Sequence, residues 1–507
     1  MRRCWGGARL FLGIDVGTSG VKAVLVDGDQ RLVDQATAPL DVSRPRPRWS
    51  EQVPDAWWRA VCAAMAELKS RRGRELGGVR GIGLSGQMHG ATLLDGSDRV
   101  LRPAILWNDG RSAEQCAELE RREPRLREIT GNLAMPGFTA PKLLWVARHE
   151  PEIFARVARV LLPKDYVRLR MTGVHASDLS DSAGTLWLDV GARTWSPAMI
   201  EATGLPLSAM PELFEGSAAT GTLLPAVAAE WGVPRDAVVA AGGGDNAAGA
   251  VGVGAVEPGS ALMSLGTSGV IFVAGDRFRP NPDEAVHAFC HALPERWHQM
   301  SVILSAASCL TWVARATGAG DESTALAEAE AAGNGALAPI FLPYLSGERT
   351  PHNDPAAMGV FFGLTHGTGR GDLVRAVLEG VAFAFADALR ALERGGSRID
   401  RISVIGGGSR SDLWGGILAA ALDRSLIYRS GGDLGPAFGA ARLGRLAATG
   451  EAPGQVCSAP PVDHEIAPDP DLAGRQKERL ERYRRLYRTL RPVFSDAFRT
   501  EALGDPQ

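Results

Sequence analysis

Two four-residue stretches, Gly17-Thr18-Ser19-Gly20 and Gly266-Thr267-Ser268-Gly269, are identical and stand about half a chain apart. Glycines at both ends permit backbone angles that other residues avoid. Successive amide N–H groups can then point into one concavity and hold an anion. Thr and Ser add hydroxyl donors. One such turn is ordinary hairpin chemistry. Two, each between apolar strands, point to a polyphosphate gripped from both sides.

Asp15 precedes the first loop by two residues. A carboxylate beside polyphosphate can hold Mg²⁺, which keeps several waters and takes one or two carboxylates. The second loop has Ser264 at that place. The first copy, with Thr18 and Ser19, is therefore expected to serve the transferring phosphate and the metal. The second, with Gly266 and Thr267, is expected to hold nucleotide. Asp245 follows Gly242-Gly243-Gly244 at a strand end. There it can take the proton from a hydroxyl that attacks phosphorus, and it also suits a helix start.

Gly406-Gly407-Gly408 ends another strand before a helix and suits the phosphates or ribose of a nucleotide. Gln87-Met88-His89 and Trp107-Asn108-Asp109 are polar clusters at strand ends that can meet a polyol. His89 has no second His or Cys at metal-ligand spacing. Neither a Gly-x-x-x-x-Gly-Lys-Ser/Thr loop nor a protein-kinase signature set is present.

The elements that must carry these residues alternate between strand and helix, which predicts α/β units. Strands are expected at 11–15, 21–26, 79–84, 91–94, 237–241, 261–265, 270–273 and 402–405, with a helix from Pro54 to about Arg72. The section 110–235 reads as mostly helical. The hairpin recurs after residue 260, and a strand followed by three glycines occurs at 237–246 and again at 402–412. Two related domains, 11–256 and 257–492, are the expected division. The Arg-rich stretch 475–491 carries Leu480, Tyr483, Leu486, Tyr487 and Leu490 at helical spacing. It predicts an amphipathic helix docked on the body, not a nucleic-acid patch.

A chain of 507 residues is long enough for two cores. Its net charge of -3 gives no global attraction to nucleic acid or an anionic membrane. Six scattered cysteines read as reduced thiols, hence a cytoplasmic location. Met1 to Leu10 is expected to be a disordered stub or the mark of a start codon set slightly early, since no signal-like apolar run follows its arginines.

These motifs resemble the FGGY carbohydrate kinases of the actin/hexokinase superfamily. The likeness runs from about Leu12 to Leu490. It covers Gly13 to Gly20, Gly86 to Thr92, Leu106 to Arg111, Met135 to Trp145 and Gly359 to Glu379. The resemblance implies two ribonuclease-H-like (actin-like ATPase) domains flanking a cleft, with ATP and Mg²⁺ as cofactors. It implies that Asp245 is the base and that Asp15 supports the metal and activity. Met88 and His89 would contact sugar, with Gln87, Trp107, Asn108, Asp109 and Asn246 as neighbours. Thr18, Gly266, Thr267, Gly407 and Gly408 would contact nucleotide. Gln-Met-His-Gly resembles members that phosphorylate D-xylulose more than those acting on glycerol. A homodimer stands as an expectation for the assembly. On the sequence, a polyol kinase of the same fold and a non-enzymatic ATP switch stay open.

Overall fold

The structure is a computed structural model that describes residues 9–333, 339–429 and 435–503. Most of the expected N-terminal stub, Met1 to Ala8, lies outside the described residues.

Two seven-stranded sheets carry the molecule. In the first, Leu10–Val16 pairs antiparallel with Gly20–Asp27, which pairs antiparallel with Leu32–Pro39. On its other side Leu10–Val16 runs parallel to Val79–Gly86, and Val238–Ala240 lies beyond. In the second, Ala261–Leu265 pairs antiparallel with Gly269–Gly275, which pairs antiparallel with Trp297–Ile303. Ala261–Leu265 also runs parallel to Arg401–Ile405, with Ser425–Arg429 beyond. The order is the same in both, so the doubled hairpin marks a doubled domain. Near-continuous apolar runs in Leu10–Val16 and Gly20–Asp27 reflect burial on both faces.

The repeat of three glycines does not follow this symmetry. Val238–Ala240 stands one place further from the hairpin than Arg401–Ile405. The positional equivalent of Arg401–Ile405 is Val79–Gly86, and that of Val238–Ala240 is Ser425–Arg429. The two glycine triplets are local turn chemistry at different sites.

The helices Asp245–Val253 and Gly435–Thr449 join the halves by exchange. Ala437, Phe438 and Ala441 pack on Phe11, Val24 and Val26 of the first sheet. Ala250 and Val253 pack with Leu262, Phe272 and Ala274 of the second. The two helices cross at Gly439, where a Cβ would stand 1.7 Å from the Ala248 carbonyl oxygen.

Section 110–235 is less helical than expected. Short helices there alternate with two-stranded pairings such as Ala176–Asp178 with Glu212–Phe214. The C-terminal helix Pro470–Leu503 buries Tyr483, Tyr487 and Phe494 against the second domain. Arg479 and Arg484 of this helix pair with Glu379 and Asp387. Its arginines are thus partly spent on docking, as the spacing predicts.

Candidate active site

Asp245 opens its helix because Gly242 to Gly244 let the chain turn there. Gly242 has φ 82°, and a Cβ on it would meet the Leu84 carbonyl oxygen at 2.1 Å. The Asn246 amide and Nδ2 both donate to Asp245 Oδ1, at 2.7 and 2.9 Å. They leave Oδ2 for a substrate proton. Burial, then the charge of Asp15, pushes the Asp245 carboxyl up to about 7. Burial also raises Asp15 to about 6, eased by the Ser85 hydroxyl and Lys22. Two carboxylates from one sheet end therefore face the same space. Asp15 Oδ1 is buried without a hydrogen-bond partner, which suits a cation or its water. Among the described residues no cluster of three or more His, Cys, Asp or Glu stands at metal-binding distance.

A cavity of about 240 Å³ lies beside Asp245. Met88, His89, Trp107, Met135, Phe138 and Asn246 line it from the first domain, and Ser268, His287, Phe289, Met300 and Arg349 from the second. His89 holds a left-handed φ of 70°, a strained conformation of the kind found at binding sites. Lys142 Nζ donates to its carbonyl at 2.8 Å, and Thr139 Oγ1 at 3.2 Å. His89 Nδ1 lies 2.6 Å from the Gly184 carbonyl, which only accepts. The proton is therefore on Nδ1. Burial, aided by Lys142, pushes the ring down to about 3. A bare Nε2 remains as an acceptor for a sugar hydroxyl.

Beneath the Asp245 turn lies a buried charge cluster. Lys164 Nζ reaches Asp165, Asp178 and Asp181 at 2.6, 2.8 and 3.1 Å, and Arg168 reaches Asp165 at 2.9 Å. Burial drives Asp181 well above the usual carboxylate range. Three carboxylates thus share two buried cations. Ser180 Oγ donates to Asp178 and accepts from the Gly244 amide at 3.2 Å. Arg168 donates to the Ala241 carbonyl. The cluster grips the turn on both sides of its glycines.

A second cavity, of about 1040 Å³, lies on the second domain. Gly266, Thr267, Gly407 and Gly408 line it together, with Leu310, Leu326 and Trp414 as apolar walls. The loop 266–269 thus borders both cavities, Thr267 on one side and Ser268 on the other.

Three expected sugar contacts lie elsewhere. Gln87 is buried. Its Nε2 donates to Gln52 at 2.8 Å, and its Oε1 accepts from Thr18 Oγ1 at 3.0 Å, so it braces the first loop. Asp109 is spent on Arg111, which is sandwiched between Trp49 and Trp145. Asn108 lines a shallow depression with the 44–50 segment, outside the sugar cavity. Thr18 Oγ1 is also occupied, accepting from Trp107 Nε1 at 3.0 Å. Ser19 is exposed at the loop tip. The first loop is thereby tied to the sugar wall by its side chains.

Residues 10–252 match the N-terminal domain of the FGGY family of carbohydrate kinases, and 261–448 match its C-terminal domain. The chain belongs to the FGGY family of carbohydrate kinases. This FGGY kinase is 54% identical to the xylulose kinase of Escherichia coli K12 over 487 residues, 96% of this chain and all of that protein. It is 39% identical to the xylulose kinase of Bacillus subtilis over 86% of this chain and 87% of that one. A crystal structure described as a xyloylose kinase from Brucella ovis superposes with a TM-score of 0.93 at 52% identity, covering 96% of this chain and all of that one. As a carbohydrate kinase it takes its phosphoryl group from ATP.

The FGGY kinase wall residues that sequence reasoning missed are Met135, Phe138, His287, Phe289, Met300 and Arg349. Met135 and Phe138 lie within the motif stretch 135–145. The other four come from the second domain, and no local signal ties them to residues some 200 positions away.

Proposed function

We propose that this kinase transfers the γ-phosphoryl group of ATP to the 5-hydroxyl of D-xylulose, giving D-xylulose 5-phosphate and ADP. The observation that carries the reading is the loop 266–269, which borders the nucleotide-sized cavity and the sugar-sized one at once. A phosphoryl group held there faces Asp245 on the sugar side. The xylulose kinases named above support the choice of sugar. So does the Met88-His89 wall, with its acceptor Nε2.

Asp245 Oδ2 takes the hydroxyl proton as the sugar oxygen bonds to phosphorus and the bond to the ADP oxygen breaks. Asn246 fixes the carboxylate by holding Oδ1. Apolar walls from both domains exclude water, which would otherwise accept the phosphoryl group. Asp15 would hold Mg²⁺, and the metal would neutralise charge that develops on the transferring phosphate. Sugar sits mainly on the unit 11–256 and ATP on the unit 257–492. A cytoplasmic setting, where ATP is made, suits the five cysteines described, all free. No helix among the described residues is long and apolar enough to cross a membrane.

The test is coupled ADP release over D-xylulose, other pentuloses, xylitol, D-arabitol and glycerol. D-xylulose should give the highest kcat/KM. A higher value for any other acceptor overturns the assignment.

A further inference from the structure

Arg349 stands in the wall of the sugar cavity, yet the charge of this side chain has no use in the mechanism above. It makes no ion pair and no side-chain hydrogen bond among the described residues. The acid that acts on it, its neighbour Glu348, spends its carboxylate on backbone amides. Glu348 Oε1 accepts from the Leu304 and Arg349 amides at 2.9 and 2.7 Å. Burial raises the Glu348 carboxyl to about 8, which leaves little charge to answer the guanidinium. An arginine with five donors and no acceptor within reach is suited to a ligand.

The backbone holds this arginine firmly. On one side Glu348 is bonded to Leu304. On the other, the Thr350 amide donates to Val302 O at 3.0 Å, and Thr350 Oγ1 accepts from Val302 N at 3.0 Å. Thr350 Oγ1 also donates to Ala285 O at 2.9 Å. Both flanks are thus pinned to the strand Trp297–Ile303 and its neighbour, which form the second-domain wall.

Arg349 lines the cavity together with His89 and His287. Its charge adds to the burial that depresses His89 and His287, whose rings both meet Phe138 in T-shaped contacts at 4.9 and 5.5 Å. Asp245 responds instead to Asp15 and Asn246. A pentulose with its 5-hydroxyl at Asp245 would direct C1 and the C2 carbonyl towards the His89, His287 and Arg349 side of the cavity. Burial lowers both rings below the usual histidine range.

We propose that Arg349 recognises the carbonyl end of the ketose and sets the preference for a pentulose over a pentitol. The assignment rests on the xylulose reading above. A carbonyl oxygen only accepts and a guanidinium only donates, so the pair is complementary. The hydroxyl of a pentitol accepts less strongly. Because Arg349 belongs to the second domain and His89 to the first, the ketose end also bridges the cleft.

The test is the ratio of kcat/KM for D-xylulose to that for xylitol and D-arabitol, its two reduction products. Arg349→Met should lower kcat/KM for D-xylulose by roughly 10- to 100-fold, the worth of a hydrogen bond to a charged group. The loss should fall in KM more than in kcat, because the contact is remote from the reacting oxygen. The pentitols should lose far less, so the ratio collapses, and Arg349→Lys should restore part of it. Thermal unfolding and ATP binding of both variants check that the fold is kept. An unchanged ratio in folded Arg349→Met overturns the proposal, as does an equal loss of kcat for every acceptor. Wild-type preference for an aldonate such as D-gluconate would assign the arginine to a carboxylate and overturn it too. Wild-type failure to phosphorylate D-xylulose is a separate outcome, which sinks the function reading itself.

Discussion

Asp245 and Asp15 are suited to different work although both are partly buried carboxylates on one sheet end. Asp245 has one oxygen held by Asn246 and one left for a proton, and its raised proton affinity puts it near working pH. A base must be ionised to act. Below about pH 7 Asp245 takes up a proton, so kcat/KM for sugar should fall tenfold per pH unit as pH drops and level off above. A flat profile from pH 5.5 to 8 would contradict the role. Asp245→Asn keeps the shape and removes the acceptor. Its turnover should drop by roughly 10²–10⁴ with an unchanged unfolding midpoint, and near-normal turnover would exclude Asp245 as the base. Asp15 offers an unpartnered oxygen instead, which suits a cation or its water.

The two exchanged helices show what a single element adds. Ala in place of Gly in a helix normally stabilises by about 0.5–1 kcal/mol. At Gly439 the added Cβ would meet the Ala248 carbonyl oxygen at 1.7 Å, and backbone on both sides leaves nothing flexible to move aside. Overpacking of this kind costs about 1–3 kcal/mol, so the steric term decides the sign. Gly439→Ala should lower the denaturation midpoint in urea, and a raised midpoint would mean the crossing is looser than the geometry states. Beneath the turn that opens the first of these helices, the Lys164 cluster is fully buried. Lys164→Met would leave buried carboxylates unanswered, at about 3–5 kcal/mol, and loosen the turn that presents Asp245.

At the scale of the whole molecule, the sugar cavity has walls from both domains and the loop 266–269 joins it to the nucleotide cavity. A sugar in this cavity would therefore touch the loop that also borders the second cavity. D-xylulose should lower the apparent KM for ATP and speed phosphoryl transfer relative to ATP hydrolysis without sugar. Identical ATP kinetics with and without sugar would show that the domains do not communicate through this wall.

The hairpins, the doubled loop, the position of Asp245 and the docked terminal helix were legible in the sequence, because each depends on neighbours within a few residues: turn chemistry, strand alternation, helical spacing. Contacts made across the chain were not. Gln87, Asn108 and Asp109 have the right chemistry for a sugar, but Thr18, Arg111 and the 44–50 segment claim them or draw them aside. His287 and Arg349 carry no motif of their own and become wall residues only when the second domain closes the cavity. The equivalence of the two glycine triplets failed for the same reason, since sheet order is set by pairing between distant strands. Residue type and short spacing determined which chemistry the chain could perform. Packing between the domains decided which of those residues face the substrate, because a side chain's direction is settled by every element that surrounds it.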